Sequence, residues 1–206
     1  MSHAVLLGDS IFDNAAYVQA GPAVIAHLRS RLPPDWRATL LAVDGDVTED
    51  VAIQIQRLPA DATHLIISCG GNDALGQLGV LQEASSSIIA SLNRLADMQG
   101  AFRAHYRQML DHVRTLGKKV AVCTIYDAIP QLDRGSITAL SLFNDVIVRE
   151  AAGAQVPVID LRLLCTERSD YSGISPIEPS VQGGNKIAGA IAALLASSHF
   201  SHPIRW

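Results

Sequence analysis

Ser10 is the residue of this chain best placed to act as a nucleophile. It closes the run Val5-Leu6-Leu7-Gly8-Asp9-Ser10, in which a short apolar stretch ends in a glycine, an acid and a hydroxyl. Such a stretch reads as a buried parallel strand, and the loop after it lies at the strand's carboxyl end, where open α/β sheets bind ligands. Gly8 lets the chain turn there without a Cβ clash. Taken alone, Gly-Asp-Ser describes a strand-to-helix turn with its cap equally well. Two more loops of the same kind shift the balance. Asp44-Gly45-Asp46 follows the apolar run 38–43, and Gly70-Gly71-Asn72-Asp73 follows the run 64–69. Acyl transfer needs a nucleophile and hydrogen-bond donors aimed at the developing oxyanion. Ser10 supplies the oxygen. The N–H groups of Ser10 and Gly45 and the side-chain amide of Asn72 supply three donors, provided that the three loops share one rim.

The remaining elements must create that rim. After Gly21-Pro22, Val24, Ile25, Leu28 and Leu32 fall at helical spacing, and Pro33-Pro34 stops the helix. Thr48 opens a short helix carrying Val51, Ile55 and Leu58. Residues 77–87 have no clear period and read as a loop over the site. Ile88, Leu92 and Leu95 suit a helix, which the spacing resumes at Phe102, Tyr106, Met109 and Val113 after a break near Gly100. A fourth strand is expected over 119–125 and a fifth over 156–161. Between them lies an amphipathic helix with Ile137, Leu140, Phe143 and Ile147. A polar loop then leads to a last helix carrying Ile187, Ile191 and Leu194. Five apolar strands alternating with helices imply an α/β fold: a parallel sheet with helices on both faces and right-handed crossovers. The strand order expected is flavodoxin-like, 2-1-3-4-5. No second core or long linker appears, so residues 1–206 read as one domain with a polar tail from 198.

Composition narrows the function classes. The net charge is −4 with no basic run, which argues against nucleic acid and against an anionic membrane surface. No stretch is long enough for membrane insertion, and no signal-peptide pattern is present. The three cysteines, Cys69, Cys123 and Cys165, form no CxxC pair, so buried reduced thiols in a cytoplasmic protein are expected rather than disulfides or zinc. Walker A and GxGxxG motifs are absent, so nucleotide binding has no support and no cofactor is implied. Gly-x-Ser-x-Gly is also absent, against an α/β-hydrolase elbow. Asp44, Asp46, Glu49 and Asp50 form an acidic cluster, but Glu49 stands where an EF-hand loop needs glycine, so it reads as a solvated face and no metal is expected.

Three blocks of the chain resemble the SGNH (GDSL-type) hydrolases. Gly8-Asp9-Ser10 matches the first block, with Ile11 where leucine is common. Gly45 matches the second-block glycine, and Gly70-Gly71-Asn72-Asp73 the Gly-x-Asn-Asp block. The resemblance implies a three-layer α/β/α sandwich and hydrolysis of a small carboxylic ester. It implies Ser10 as nucleophile and Ser10, Gly45 and Asn72 as the oxyanion hole. The fourth block, usually Asp-x-x-His before the last helix, does not match. Here Ser175-Pro176-Ile177-Glu178-Pro179 puts Glu178 where the histidine would be and Ser175 where the aspartate would be.

Three readings of that departure stand side by side. Glu178 serves as the base, its pKa raised by burial or by neighbours such as Asp9, Asp13 and Asp73. Alternatively Asp170 or a tail histidine, His199 or His202, completes the site. Or the cleft binds an ester or carbohydrate without hydrolysing it. Glu178 between two prolines also fits a surface turn. Asp13 and Asn14 are candidates for contacting substrate, with helix capping an equal explanation. Acyl transfer to an acceptor other than water is not distinguished from hydrolysis.

Overall fold

The first apolar run forms β1 (Ser2–Gly8), placed in the interior of a parallel sheet. The structure, a computed structural model, describes residues 2–197, 200 and 204–205. β1 pairs on one side with β2 (Trp36–Leu40) and on the other with β3 (His64–Ser68). β4 (Lys119–Cys123) and β5 (Val158–Ile159) continue the sheet, so the first five strands run 2-1-3-4-5. A two-residue β6 (Ile204–Arg205) pairs in parallel with β5 and adds a sixth strand. That strand comes from the segment expected to be only a polar tail.

Burial follows the two-residue period of a strand covered on both faces. Ala4 and Leu6 of β1 join Ile66, Ala121, Cys123 and Ile159 under α1 (Val24–Arg31) and α7 (Val181–Ala196). Val5 and Leu7 join Leu65, Ile67, Val120 and Val122 on the opposite face. That face is covered by α2 (Val51–Ile55), α4 (Ile88–Thr115) and α5 (Arg134–Gly153). Two short helices, α3 (Gly71–Gly76) and α6 (Leu161–Leu164), lead away from the carboxyl ends of β3 and β5. The break expected near Gly100 does not occur: α4 is one helix of 28 residues. Nothing crowds Gly100, and the roughly 1 kcal/mol that a mid-helix glycine costs is small beside the packing of Phe102, Tyr106 and Val113.

The rim at the carboxyl ends of β1 and β4 is finished by side-chain amides. As a strand ends, its last backbone groups lose their ladder partners and need others. At Gly8, the N–H donates to Gln54 Oε1 at 2.8 Å and Gln54 Nε2 donates back to the Gly8 carbonyl at 2.7 Å. At Ile125, Asn144 does the same from α5, with both bonds at 2.8 Å. The Gly8 carbonyl also accepts from Val43 N–H, which draws the second loop onto the first. Gly8 itself has φ +119°, and a Cβ there would lie 1.7 Å from the Ser68 carbonyl oxygen. Gly8→Ala combines a backbone clash with a left-handed φ, so it is expected to lower unfolding free energy by about 3 kcal/mol or more, read by urea denaturation.

Candidate active site

Asp9, Ser10, Asn72 and Glu178, from three separate segments, line one cavity. The turn after β1 presents Ser10, which is nearly buried. Its Oγ donates to Glu178 Oε1 at 3.0 Å, across 168 positions of sequence. Ser10 N–H and Gly45 N–H donate to no protein group among the described residues. Asn72 Nδ2 donates one hydrogen to the Asp46 carbonyl at 2.8 Å, which fixes the amide and leaves its second N–H available. Gly45 precedes Asp46 with φ +88°, and nothing lies within 4 Å of where its Cβ would stand.

Glu178 is held by a cage of backbone contacts. Ser172 N–H donates to the Glu178 carbonyl and Glu178 N–H to the Ser175 carbonyl. Tyr171 and Pro179 form an antiparallel bridge across the loop. Tyr126 Oη donates to the Ile177 carbonyl at 2.6 Å, and Asn14 Nδ2 to the Pro179 carbonyl at 3.1 Å. With its backbone fixed on both sides, the Glu178 side chain is only 4 % exposed. Its Oε2 has no protein donor among the described residues. Burial pushes its pKa up to about 7, with the Asp44 carboxylate adding to the rise and the Ser10 hydroxyl opposing it.

The other candidates fall into two groups. Asp9 lines the cavity, and burial raises its pKa to about 8 despite the hydrogen bond from Ile11 N–H. Asp13, Asn14 and Asp73 act on backbone. Asp13 accepts from Asp44 N–H, Asn14 accepts from Val24 N–H, and Asp73 accepts from Thr48 N–H and Oγ1. Asp170 does not line the cavity. It is fully buried at the foot of the Glu178 loop, where it accepts from Glu167 N–H and from Lys186 Nζ at 2.8 Å. No histidine among the described residues hydrogen-bonds Ser10: His64, for instance, opens β3 at the far end of the sheet, and burial lowers its pKa to about 4. His199 and His202 lie outside the described residues.

Sequence reading missed Gln54, Asn144 and Tyr126. Gln54 had a signal, a polar residue three positions after Val51 on an otherwise apolar stripe. It also missed the cavity. The cavity has a volume of about 110 Å³, far more than one water needs, and beyond Ser10 its walls are almost wholly apolar. The α3 segment and the following 3₁₀ turn (Leu78–Gln82) form one wall with Leu75, Leu78 and Leu81. Ile125, Tyr126, Leu140 and Phe143 form the other. The loop expected to cover the site over 77–87 is thus partly a 3₁₀ turn, and its leucines face the cavity.

Known proteins share the fold. Residues 6–183 match the model of the GDSL-like Lipase/Acylhydrolase family. An extracellular lipase of Streptomyces rimosus superposes with TM-score 0.69 at 19% identity, over 96% of this chain and 100% of that one. Phospholipase A1 of Streptomyces albidoflavus gives 0.69 at 20% identity, over 93% and 98%. A catalytic mutant of an acetylxylan esterase from Geobacillus stearothermophilus gives 0.70 at 14% identity, over 100% and 97%. No curated protein sequence matches. At these identities the superpositions establish the fold, and the family match establishes the class. This chain belongs to the GDSL-like lipase/acylhydrolase family.

Proposed function

We propose that this hydrolase cleaves carboxylic esters with an apolar acyl group, using Ser10 as nucleophile and Glu178 as general base. The observation that carries the reading is the 3.0 Å hydrogen bond from Ser10 Oγ to a buried carboxylate at the foot of an apolar cavity. Ser10 Oγ attacks the ester carbonyl while its proton passes to Glu178 Oε1. The oxyanion that forms is met by the free N–H groups of Ser10, Gly45 and Asn72. Glu178 returns the proton to the alkoxide, the alcohol leaves, and an acyl-serine remains. Water then attacks that ester with Glu178 again as base, and the acid is released.

A pKa of about 7 suits this work, because the base must be ionised at rest yet accept a proton in transit. Charge also fits. A carboxylate base becomes neutral as the oxyanion forms, so the site holds one negative charge throughout. Asp9, kept neutral by burial below about pH 8, adds no second charge beside the oxyanion. The three thiols are buried and unpaired, which suits the cytoplasmic location that the cysteine pattern suggests.

Activity toward a short p-nitrophenyl ester tests this reading. Ser10→Ala is expected to abolish turnover. Glu178→Gln is expected to lower kcat by about 10²–10⁴-fold and Asn72→Ala by about 10²–10³-fold, both while folded. Full activity in Glu178→Gln would assign the base elsewhere, and absence of Ser10-dependent turnover across an ester panel would favour a non-catalytic binding protein.

The pH dependence follows from the two raised carboxyls. The wild-type kcat/KM is expected to rise as Glu178 ionises through about 7. It is expected to fall as Asp9 ionises near 8. Asp9→Asn keeps the rising limb and removes the falling one. Stability carries the same signature. Both groups bind protons more tightly folded than unfolded, so stability falls as pH rises from about 4 toward about 8. His64, lowered from 6.5 to about 4, acts in the opposite sense below 6.5. The wild-type Tm is therefore expected to drop between pH 6.5 and 8, and Asp9→Asn to flatten that drop, as read by calorimetry.

A further inference from the structure

Helix α4 carries an apolar stripe along its whole length, and only its second half is covered. Phe102, Tyr106, Met109 and Val113 recur every three or four residues and are buried in the core. The same spacing continued backwards reaches Leu95, Leu92 and Ile88. There the stripe is bare: Ile88, Ile89 and Leu92 are 82, 64 and 53 % exposed. Ile88, Leu92, Leu95 and Met98 stand three or four residues apart, so they are neighbours on one side of the helix. Met98 lines the Ser10 cavity and Leu95 is half-buried. From the opposite wall, Leu75 and Leu78 also line the cavity and remain 40 and 43 % exposed. Apolar surface therefore runs without interruption from the cavity to the tip of α4. Of the nine large apolar side chains exposed among the described residues, five lie between positions 75 and 92, so this is a patch and not scatter.

The charge of the patch says what it suits. Between residues 71 and 100 the charged side chains are Asp73, Glu83, Arg94 and Asp97. Asp73 is turned toward Thr48, and Glu83 and Arg94 neutralise each other at 3.0 Å. Ser85, Ser86, Ser87 and Asn93 add only uncharged polarity. An apolar face whose border carries the Glu83–Arg94 pair, the exposed Asp97 and no cationic cluster matches a neutral or zwitterionic lipid surface and offers nothing to an anionic one.

We propose that the face formed by residues 75–92 seats on the surface of a neutral or zwitterionic lipid aggregate, so that an acyl chain passes from the lipid into the Ser10 cavity without crossing water. This rests on the ester-hydrolase reading of that cavity and assigns its substrate to lipid esters presented at an interface. No helix among the described residues is long and apolar enough to cross a membrane, which is consistent with a seat on the surface.

Flotation of the catalytically inert Ser10→Ala protein with phosphatidylcholine vesicles tests the proposal apart from hydrolysis. The expected result is that Ser10→Ala floats with the vesicles and that adding Ile89→Glu and Leu92→Glu lowers the bound fraction by about tenfold or more. Placed in the active chain, the same two substitutions are expected to leave turnover of a monomeric, water-soluble ester within about twofold, since neither side chain lines the cavity. Failure to float, or equal flotation with and without the two glutamates, would overturn the proposal. A concentration-dependent dimer that the two glutamates dissociate, with no vesicle binding, would also overturn it and assign the face to a second copy of the chain. Loss of Ser10-dependent turnover of the soluble ester would instead strike the hydrolase reading, independently of flotation.

Discussion

The hydrogen bond between Ser10 and Glu178 joins the loop after β1 to the loop before α7, and much of the structure exists to make it tolerable. A carboxylate that is 4 % exposed, with a single hydroxyl as its donor, is an expensive thing to bury. It stays in place because its backbone has no freedom to carry it into solvent. Tyr126 and Asn14 hold the Ile177 and Pro179 carbonyls from opposite sides, while Ser172 closes the loop on the Glu178 carbonyl. Asp170 and Lys186 anchor the foot of that loop to α7. On the serine side, the Gln54 amide and the contact of Gly8 with Ser68 fix where β1 ends and so where Ser10 begins. The side-chain partners Asn14, Gln54, Tyr126, Asp170 and Lys186 are spread along the chain, so the dyad forms only when the tertiary fold is complete.

Electrostatics set the terms of the chemistry. A neutral histidine base becomes a cation beside the oxyanion, whereas a carboxylate base becomes neutral and leaves the oxyanion to its hydrogen-bond donors alone. In the proposed mechanism the site meets that demand. Two backbone N–H groups and one amide hydrogen are free at the rim, and the second carboxyl in the cavity, Asp9, is kept protonated by its burial. The apolar walls favour this arrangement again, because they exclude water and strengthen every remaining polar contact. The same walls extend outward through Leu75 and Leu78, which both line the cavity and stay exposed, so the proposed access route and acyl site share one surface.

What could be read in the sequence was what local physics dictates. Apolar runs such as 64–69 ended in glycine and polar residues, which made the strands and their rim legible. The alternation of strands and helices implied a parallel sheet, for which 2-1-3-4-5 was the expected order, and comparing 175–179 with the hydrolases' Asp-x-x-His block drew attention to Glu178. What escaped was decided by contacts between distant segments. Gln54 and Asn144 read as ordinary polar residues because the groups they satisfy, on Gly8 and Ile125, lie 46 and 19 positions away. Gly100 read as a break because its local cost is visible and the packing that outweighs it is not. The short β6 exists only by pairing with β5. Asp170 looked like a candidate to complete the site because its partner Lys186 lies 16 positions further along the chain, in α7. The cavity has no linear signature, since its walls come from residues between 9 and 178.

In the proposed mechanism buried Glu178 activates Ser10. The most direct measurement is the rate at which a fluorophosphonate labels Ser10, followed by mass spectrometry across pH in wild type and Glu178→Gln. Covalent labelling needs no knowledge of the natural ester and reports the nucleophile itself. The expected result is labelling confined to Ser10, with a rate that rises through an apparent pKa of about 7 in wild type. In Glu178→Gln it should be slower by about a hundredfold or more and lose that pH dependence. Equal labelling of the two folded proteins, or a folded wild type whose Ser10 stays unlabelled, would contradict it.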